Sequence, residues 1–268
     1  MDLRDKIILI TGSTDGIGKQ CALDTAAEGA EVIVHGRNEE RLLQTINLIK
    51  ETTGNENIFG VLADFSSLTE IKEMIKELKT NYSRLDILIN NAAELLHERT
   101  LTGDGFEVQF QVNYLAHFLI TEELLPLIQK GENSRIINVS SMIHSPAVDF
   151  DNLQGQLSYT GAGAYALTKT LNILHANDLA DRIKTGKTGV FSVHPGVIET
   201  KLLKTSFTGG APVTEGAANV LYVAKSDALT GMTGLYIENR RPMQSNPITY
   251  NKDVQAKLRE MSLEMIKK

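Results

Sequence analysis

Apolar and polar positions along the chain fall into two alternating periods. Short runs rich in β-branched residues, KIILIT (6–11), EVIVH (31–35), NIFGVLAD (57–64), LDILINNAA (85–93), SRIINVSS (134–141) and GVFSV (189–193), read as strands buried on both faces. Segments with helical spacing lie between them. Residues 16–29 place Ile17, Cys21, Leu23 and Ala27 among the apolar positions and stop at Gly29. Residues 38–52 follow Asn38 as a candidate cap, 67–82 form another helix, and a long one runs from about Gly105 to Gln129. This alternation with short links predicts one domain, 1–268, built as a parallel sheet with helices on both faces. Two stretches, 142–160 and 201–213, show neither period; irregular segments of that length in compact domains are often functional loops.

Composition narrows the class. The chain has 268 residues, 42% hydrophobic and 22% charged, in the range of an ordinary soluble globular protein. A net charge of −6 argues against a nucleic-acid partner, which needs clustered basic charge. No stretch of about 20 apolar residues is present, so no membrane span is expected. The first apolar run is short and leads straight into glycines, unlike a signal peptide. The single cysteine, Cys21, allows no internal disulfide. His97, His117, His144 and His194 show no ligand spacing, so no metal is expected. A reducing, cytoplasmic setting fits this pattern.

The chemistry begins at TGSTDGIG (11–18), between the first strand and the first helix. Gly12 permits a tight turn, Gly16 lets backbone approach a pyrophosphate, and Gly18 lets helix pack on strand. Helix N–H groups and the dipole then favour phosphate. A Walker A loop is excluded because Lys19 is followed by Gln20. A tight turn without a ligand is the alternative. Further on, GAYALTKTLN (163–172) sets Tyr165 four residues before Lys169, on one helix face. A free tyrosine has a pKa of about 10, too high for a good base near neutral pH, and a nearby ammonium lowers it. Tyr159 has Gly163 four residues on and lacks such a partner. Ser140 and Ser141 end the fifth strand, and alternation sends their side chains to opposite sides. Asn113 stands inside an apolar helix, where an amide bonding its own helix is the alternative to a functional role.

Together these motifs resemble the short-chain dehydrogenase/reductase family, whose cofactor loop is T-G-x-x-x-G-[ILA]-G. The resemblance covers Lys6 to about Tyr236 and implies a single-domain α/β Rossmann fold with a doubly wound parallel sheet. VNYLAHFLIT, NLQG and HPGVIET look like the retinol-dehydrogenase-like branch. The implied cofactor contacts are Gly12, Ser13, Thr14, Asp15, Gly16, Ile17 and Gly18 in the loop, then Asp64 and Phe65 at the adenine. Asp64 as a helix cap is the bland reading of the same residue. NNAA (90–93) matches N-N-A-G: Asn90 and Ala92 would pass near the adenosine ribose, with Asn91 and Ala93 beside them. Ala93 in place of glycine is a departure, because alanine tolerates positive φ poorly. Pro195, Gly196, Val197, Ile198 and Thr200 match P-G-x-x-x-T at the carboxamide end.

Members that prefer NAD usually carry Asp where Gly36 stands. Here Arg37 and Asn38 follow, and a guanidinium can grip a 2′-phosphate with two hydrogen bonds. NADP(H) is therefore expected over NAD(H), with an exposed helix-entry cation as the alternative role for Arg37. In the implied catalytic set Tyr165 is the acid/base and Lys169 lowers its pKa and holds a ribose. Ser141 polarises the carbonyl, while Asn113 interrupts its helix and holds a water leading to Lys169. The resemblance implies hydride transfer between NADP(H) and an alcohol or carbonyl substrate, medium-sized and apolar. A non-catalytic NADP(H)-sensing or interaction protein on the same fold is the rival. It further implies pairing into a homodimer or homotetramer through the Tyr–Lys helix, and a lid at 201–213 hinged at Gly209, Gly210 and Pro212.

Overall fold

The computed structural model describes residues 1–183, 186–204 and 209–267. Seven strands run parallel: β1 (Ile7–Ile10), β2 (Glu31–Gly36), β3 (Ile58–Leu62), β4 (Ile87–Asn90), β5 (Ser134–Val139), β6 (Thr188–His194) and β7 (Leu235–Glu238). The short β8 (Arg241–Met243) closes one edge antiparallel to β7, in the order β3-β2-β1-β4-β5-β6-β7-β8. Successive side chains on a strand point to opposite faces. Leu9, Ile33, Leu88 and Ile136 therefore enter one layer, under α3 (Leu68–Asn81), α5 (Ala116–Ile128) and α6 (Gly161–Ile183). Ile8, Ile10, Val32, Val34, Ile87, Ile89, Ile137 and Val139 enter the other, under α1 (Gly16–Ala27), α2 (Glu39–Thr53) and α8 (Val213–Lys225). Each such side chain removed from water contributes about 1.5–3 kcal/mol, so both helical layers are held by the same strands.

Local chemistry sets the helix ends. Asp15, Asn38 and Ser67 cap α1, α2 and α3 with side-chain oxygens, and Gly54 closes α2 at φ +70°. The expected long helix from Gly105 to Gln129 is instead composite. A turn, α4 (Val108–Phe110), leads into a π-helical stretch at Gln111–Leu115 before α5 begins. Beyond β8, a segment not anticipated from the apolar pattern forms α9 (Lys252–Met265). It packs on α6. Asn177 Nδ2 donates to Thr249 O at 2.9 Å, Asp178 pairs with Arg259 at 3.3 Å, and Tyr114 Oη meets Ser262 Oγ at 2.7 Å. Part of the helix expected to pair copies is thus covered by the chain's own C-terminal helix.

Candidate active site

The chain leaves β1 toward β2 on one side and later fills β4 on the other. Such a reversal opens a crevice at the carboxyl ends of the two central strands, where α/β sheets bind ligands. The glycine turn lies there and is built for close backbone approach. Gly12 has φ +63°, and a Cβ on it would stand 2.8 Å from the Ala92 Cα. A Cβ on Gly18 would stand 2.6 Å from the Gly12 carbonyl and would also run into Asn91 Nδ2. Asn91 Nδ2 donates to the Thr11 and Gly12 carbonyls at 2.9 and 3.2 Å, while Asn91 and Ala92 N–H both donate to Thr11 Oγ1. The Asn91 amide therefore fixes the turn from beneath. Ser13 is also interior: its hydroxyl donates to Ile10 O at 2.7 Å and accepts from His35 N–H at 2.9 Å, so the side chain staples β1 to β2 and is no free cofactor contact. Ala93 is not among the residues with positive φ, so alanine fits without strain. This open turn, followed by the N-terminus of a twelve-residue helix, fits a dinucleotide pyrophosphate.

His35 carries no motif signal in the sequence, where it closes the strand run EVIVH. It is buried, accepts from Gly12 N–H through Nδ1 at 2.9 Å, and lies 3.1 Å from Ala63 O through Nε2. Burial brings it down to about 4, so it is a neutral strut with its proton on Nε2. The Phe65 ring stacks on it at 4.2 Å and is itself buried, leaving only Phe65 backbone for an adenine. Asp64 spends Oδ1 on Ser66, accepting from N–H and Oγ at 2.8 Å each, and this turn-forming role accompanies whatever it offers a ligand. Asn38 Oδ1 accepts from Arg41 N–H at 2.9 Å, so that side chain is spent on capping. Arg37 is 60% exposed and its Nη1 pairs with Glu94 Oε1 at 2.8 Å. Asp15 Oδ2 holds both Lys201, at 2.5 Å, and Arg41, at 3.2 Å. Glu94, Arg41 and Lys201 carried no motif signal.

The candidate reactive group stands at the carboxyl end of β5 and the amino-terminal part of α6. Ser140 Oγ donates to the Lys169 carbonyl at 3.0 Å and is thereby spent. Ser141 Oγ accepts from Ile143 N–H at 3.0 Å, which leaves its own proton for an acceptor in the crevice. Lys169 is 1% exposed, donates to Val139 O at 2.9 Å, and its Nζ lies 5.3 Å from the centre of the Tyr165 ring. Burial brings the lysine down from 10.5 to about 8 and pushes the tyrosine up from 10.0 to about 12. The expected lowering of Tyr165 by Lys169 is therefore not what this environment produces. Asn113 sits in the π-helical stretch, as its helix-breaking role required. Its amide clamps the Glu94 backbone, accepting from N–H at 2.7 Å and donating to O at 2.8 Å, rather than bonding its own helix. Its main-chain carbonyl accepts from Asn172 Nδ2 at 2.9 Å, which leaves that oxygen one further lone pair. Tyr159 is bound away from this group, accepting from Gln109 Nε2 at 2.8 Å and donating to Glu107 Oε1 at 3.1 Å.

After β6 the turn runs through Pro195, whose carbonyl accepts from Asn219 Nδ2 at 2.9 Å, and Gly196 at φ +105°. Val197 O accepts from Ala211 N–H and Ala211 O from Glu199 N–H, both at 2.8 Å. Val197 thus has an unspent N–H for a carboxamide, while its carbonyl already accepts one bond, and the Ile198 side chain is buried. Thr200 approaches the glycine turn: a Cβ on Gly16 would be 3.5 Å from its Cγ2. Ile17 packs at Gly216 on α8. The expected lid includes residues 205–208, which lie outside the described residues; Gly209 has φ +84° and Pro212 precedes α8.

Fold and site together define a nucleotide-binding oxidoreductase of the Rossmann type. Residues 6–209 match the short chain dehydrogenase family, and the chain belongs to it, in its retinol-dehydrogenase-like branch. Human polyprenol dehydrogenase is 32% identical over 97% of this chain and 85% of its own length. Mouse retinol dehydrogenase 11 is 33% identical over 89% of this chain and 79% of its own length. A short chain dehydrogenase of Escherichia coli, solved in complex with NADPH, aligns with a TM-score of 0.74 at 28% identity, over 90% of this chain and 99% of that one.

Proposed function

We propose that the chain is an NADP(H)-dependent carbonyl reductase acting on an apolar, medium-sized aldehyde or ketone and its alcohol. One observation carries this reading: Lys169 is buried, makes no ion pair among the described contacts, and lies one helical turn from a phenol. Burying a charge without a carboxylate costs several kcal/mol, and such groups cluster at reactive sites. The nicotinamide, when bound, supplies or takes the hydride. The glycine turn, Arg37, the Val197 N–H and Thr200 would hold its carrier.

Tyr165, at about 12, stays protonated at neutral pH and is poised to donate to a developing alkoxide. Ser141 donates its unspent proton to the same oxygen and polarises the carbonyl. Lys169, near 8, can lose and regain a proton at working pH and so reload the tyrosine. The resting form is thus the one that donates to a carbonyl oxygen. Substrate class follows from Met142 and Ile143, next to Ser141, and from Val197, all about half exposed and apolar. The printed names of the relatives, polyprenol and retinol dehydrogenases, agree with an apolar alcohol. The test is NADPH oxidation with a panel of aliphatic and isoprenoid aldehydes. Turnover should appear with some of them and vanish in Tyr165→Phe, which should keep its NADPH-induced thermal shift. Equal turnover in Tyr165→Phe would end the proposal.

A further inference from the structure

The ion pair between Arg37 and Glu94 joins strands that are not neighbours. Arg37 follows β2 and Glu94 follows β4, while β1 lies between them in the sheet. At 2.8 Å the pair therefore crosses the carboxyl end of β1, above the glycine turn and in the path of a dinucleotide's adenosine half. Glu94 is not a free surface acid that happened to swing there. Its main-chain N–H and carbonyl are both clamped by the Asn113 amide, at 2.7 and 2.8 Å, and its side chain is only 30% exposed. A fixed backbone presents the carboxylate to one place.

Gly36 is the position where an acid would otherwise read the ribose, but a side chain there meets Thr14. A Cβ there would lie 2.5 Å from Thr14 Cγ2. We infer that Glu94, arriving from β4, tunes the NADP(H)/NAD(H) ratio, as a built-in competitor of the 2′-phosphate for the Arg37 guanidinium. The inference rests on the NADP(H) reading of Arg37. A 2′-phosphate must displace the carboxylate from Arg37 and then lie beside it as a like charge, whereas a plain ribose hydroxyl meets no such repulsion. Glu94 thus tempers a preference that Arg37 alone would make stronger.

The test is calorimetric titration of NADP⁺ and NAD⁺ into the wild type, Glu94→Gln, Arg37→Ala and the double variant, with no turnover involved. Gln keeps the length of the side chain, and unchanged melting temperature verifies the fold. Glu94→Gln should tighten NADP⁺ about 5- to 10-fold and move NAD⁺ by less than about twofold. In the Arg37→Ala background that gain should shrink to about twofold or less. If Arg37→Ala weakens NADP⁺ but Glu94→Gln leaves the ratio unchanged or lowers it, the competitor role is overturned and the phosphate reading of Arg37 stands. If Arg37→Ala leaves NADP⁺ unaffected, both fall.

Discussion

Lys169 gives the most direct physical check, because its burial should be visible in stability alone. Burial brings its ammonium to about 8, against 10.5 for an ordinary lysine. Between those values the folded chain has released a proton that the unfolded chain still holds, so stability rises with pH. One pKa unit is worth about 1.4 kcal/mol, so the whole interval is worth about 3 kcal/mol and the part between pH 7.5 and 10 about 2 kcal/mol. Below pH 7.5 both states carry the charge and the cost of burying it is constant. Tyr165 stays out of the window: its folded value of about 12 lies above the unfolded value, so its contribution is present below pH 10 and lost only above it.

The perturbation is Lys169→Met, which keeps the length of the side chain and removes the titration. Urea unfolding of the cofactor-free wild type and variant, at pH 7.5, 8.5, 9.25 and 10, gives the stability of each. The wild type should gain about 2 kcal/mol on the variant across that series. All other lysines and tyrosines titrate in both proteins, so the difference cancels them. The offset at pH 7.5 also contains the Val139 carbonyl left without its donor, but the slope does not. Parallel curves would show that Lys169 titrates normally, and the argument that its burial marks the reactive centre would fail.

Two further substitutions probe the site's edges. Gly36→Asp alone should cost about 1–3 kcal/mol, because its Cβ meets Thr14 Cγ2 at 2.5 Å, and Gly36→Asp with Thr14→Ala should recover most of that while shifting binding toward NAD(H); thermal melts and titrations read both, and an undamaged single variant refutes the steric claim. Tyr159→Phe removes bonds to Gln109 and Glu107 and should lower stability by about 1–2 kcal/mol with kcat within about twofold of wild type; a folded Tyr159→Phe without turnover would displace Tyr165 from its assigned role.

What could be read in advance was whatever a local pattern encodes. Strands covered on both faces are nearly pure apolar runs, and Leu9 against Ile8 and Ile10 shows why: both layers demand burial. The glycine turn was visible because its backbone excludes side chains, and Tyr165 with Lys169 because helical spacing puts them together. The π-helical stretch at 111–115 was hidden, since one extra residue per turn barely disturbs an apolar helix pattern. It coincides with a long-range contact, the Asn113 amide reaching the Glu94 backbone, which no local pattern encodes. The pairing of Arg37 with Glu94 was hidden for a different reason. They meet only because β1 separates β2 from β4, and strand order is not written in either residue's neighbourhood.

The Tyr–Lys pair shows what local pattern misses even when it finds the right residues. In water the two groups titrate within about half a unit of each other, and an adjacent ammonium favours phenolate. Inside this site both are pushed toward their neutral forms, the phenol to about 12 and the amine to about 8. The order has inverted: the lysine is now the stronger acid. A phenolate–ammonium pair is thus penalised at rest, and the neutral phenol is the resting donor. Donation of the phenol proton and abstraction of an alcohol proton both pass through the same buried phenolate, which the neighbouring Lys169 can neutralise by giving up its own proton. The same burial that makes Lys169 conspicuous therefore leaves the neutral phenol as the resting form, the form in which Tyr165 could donate to a carbonyl oxygen.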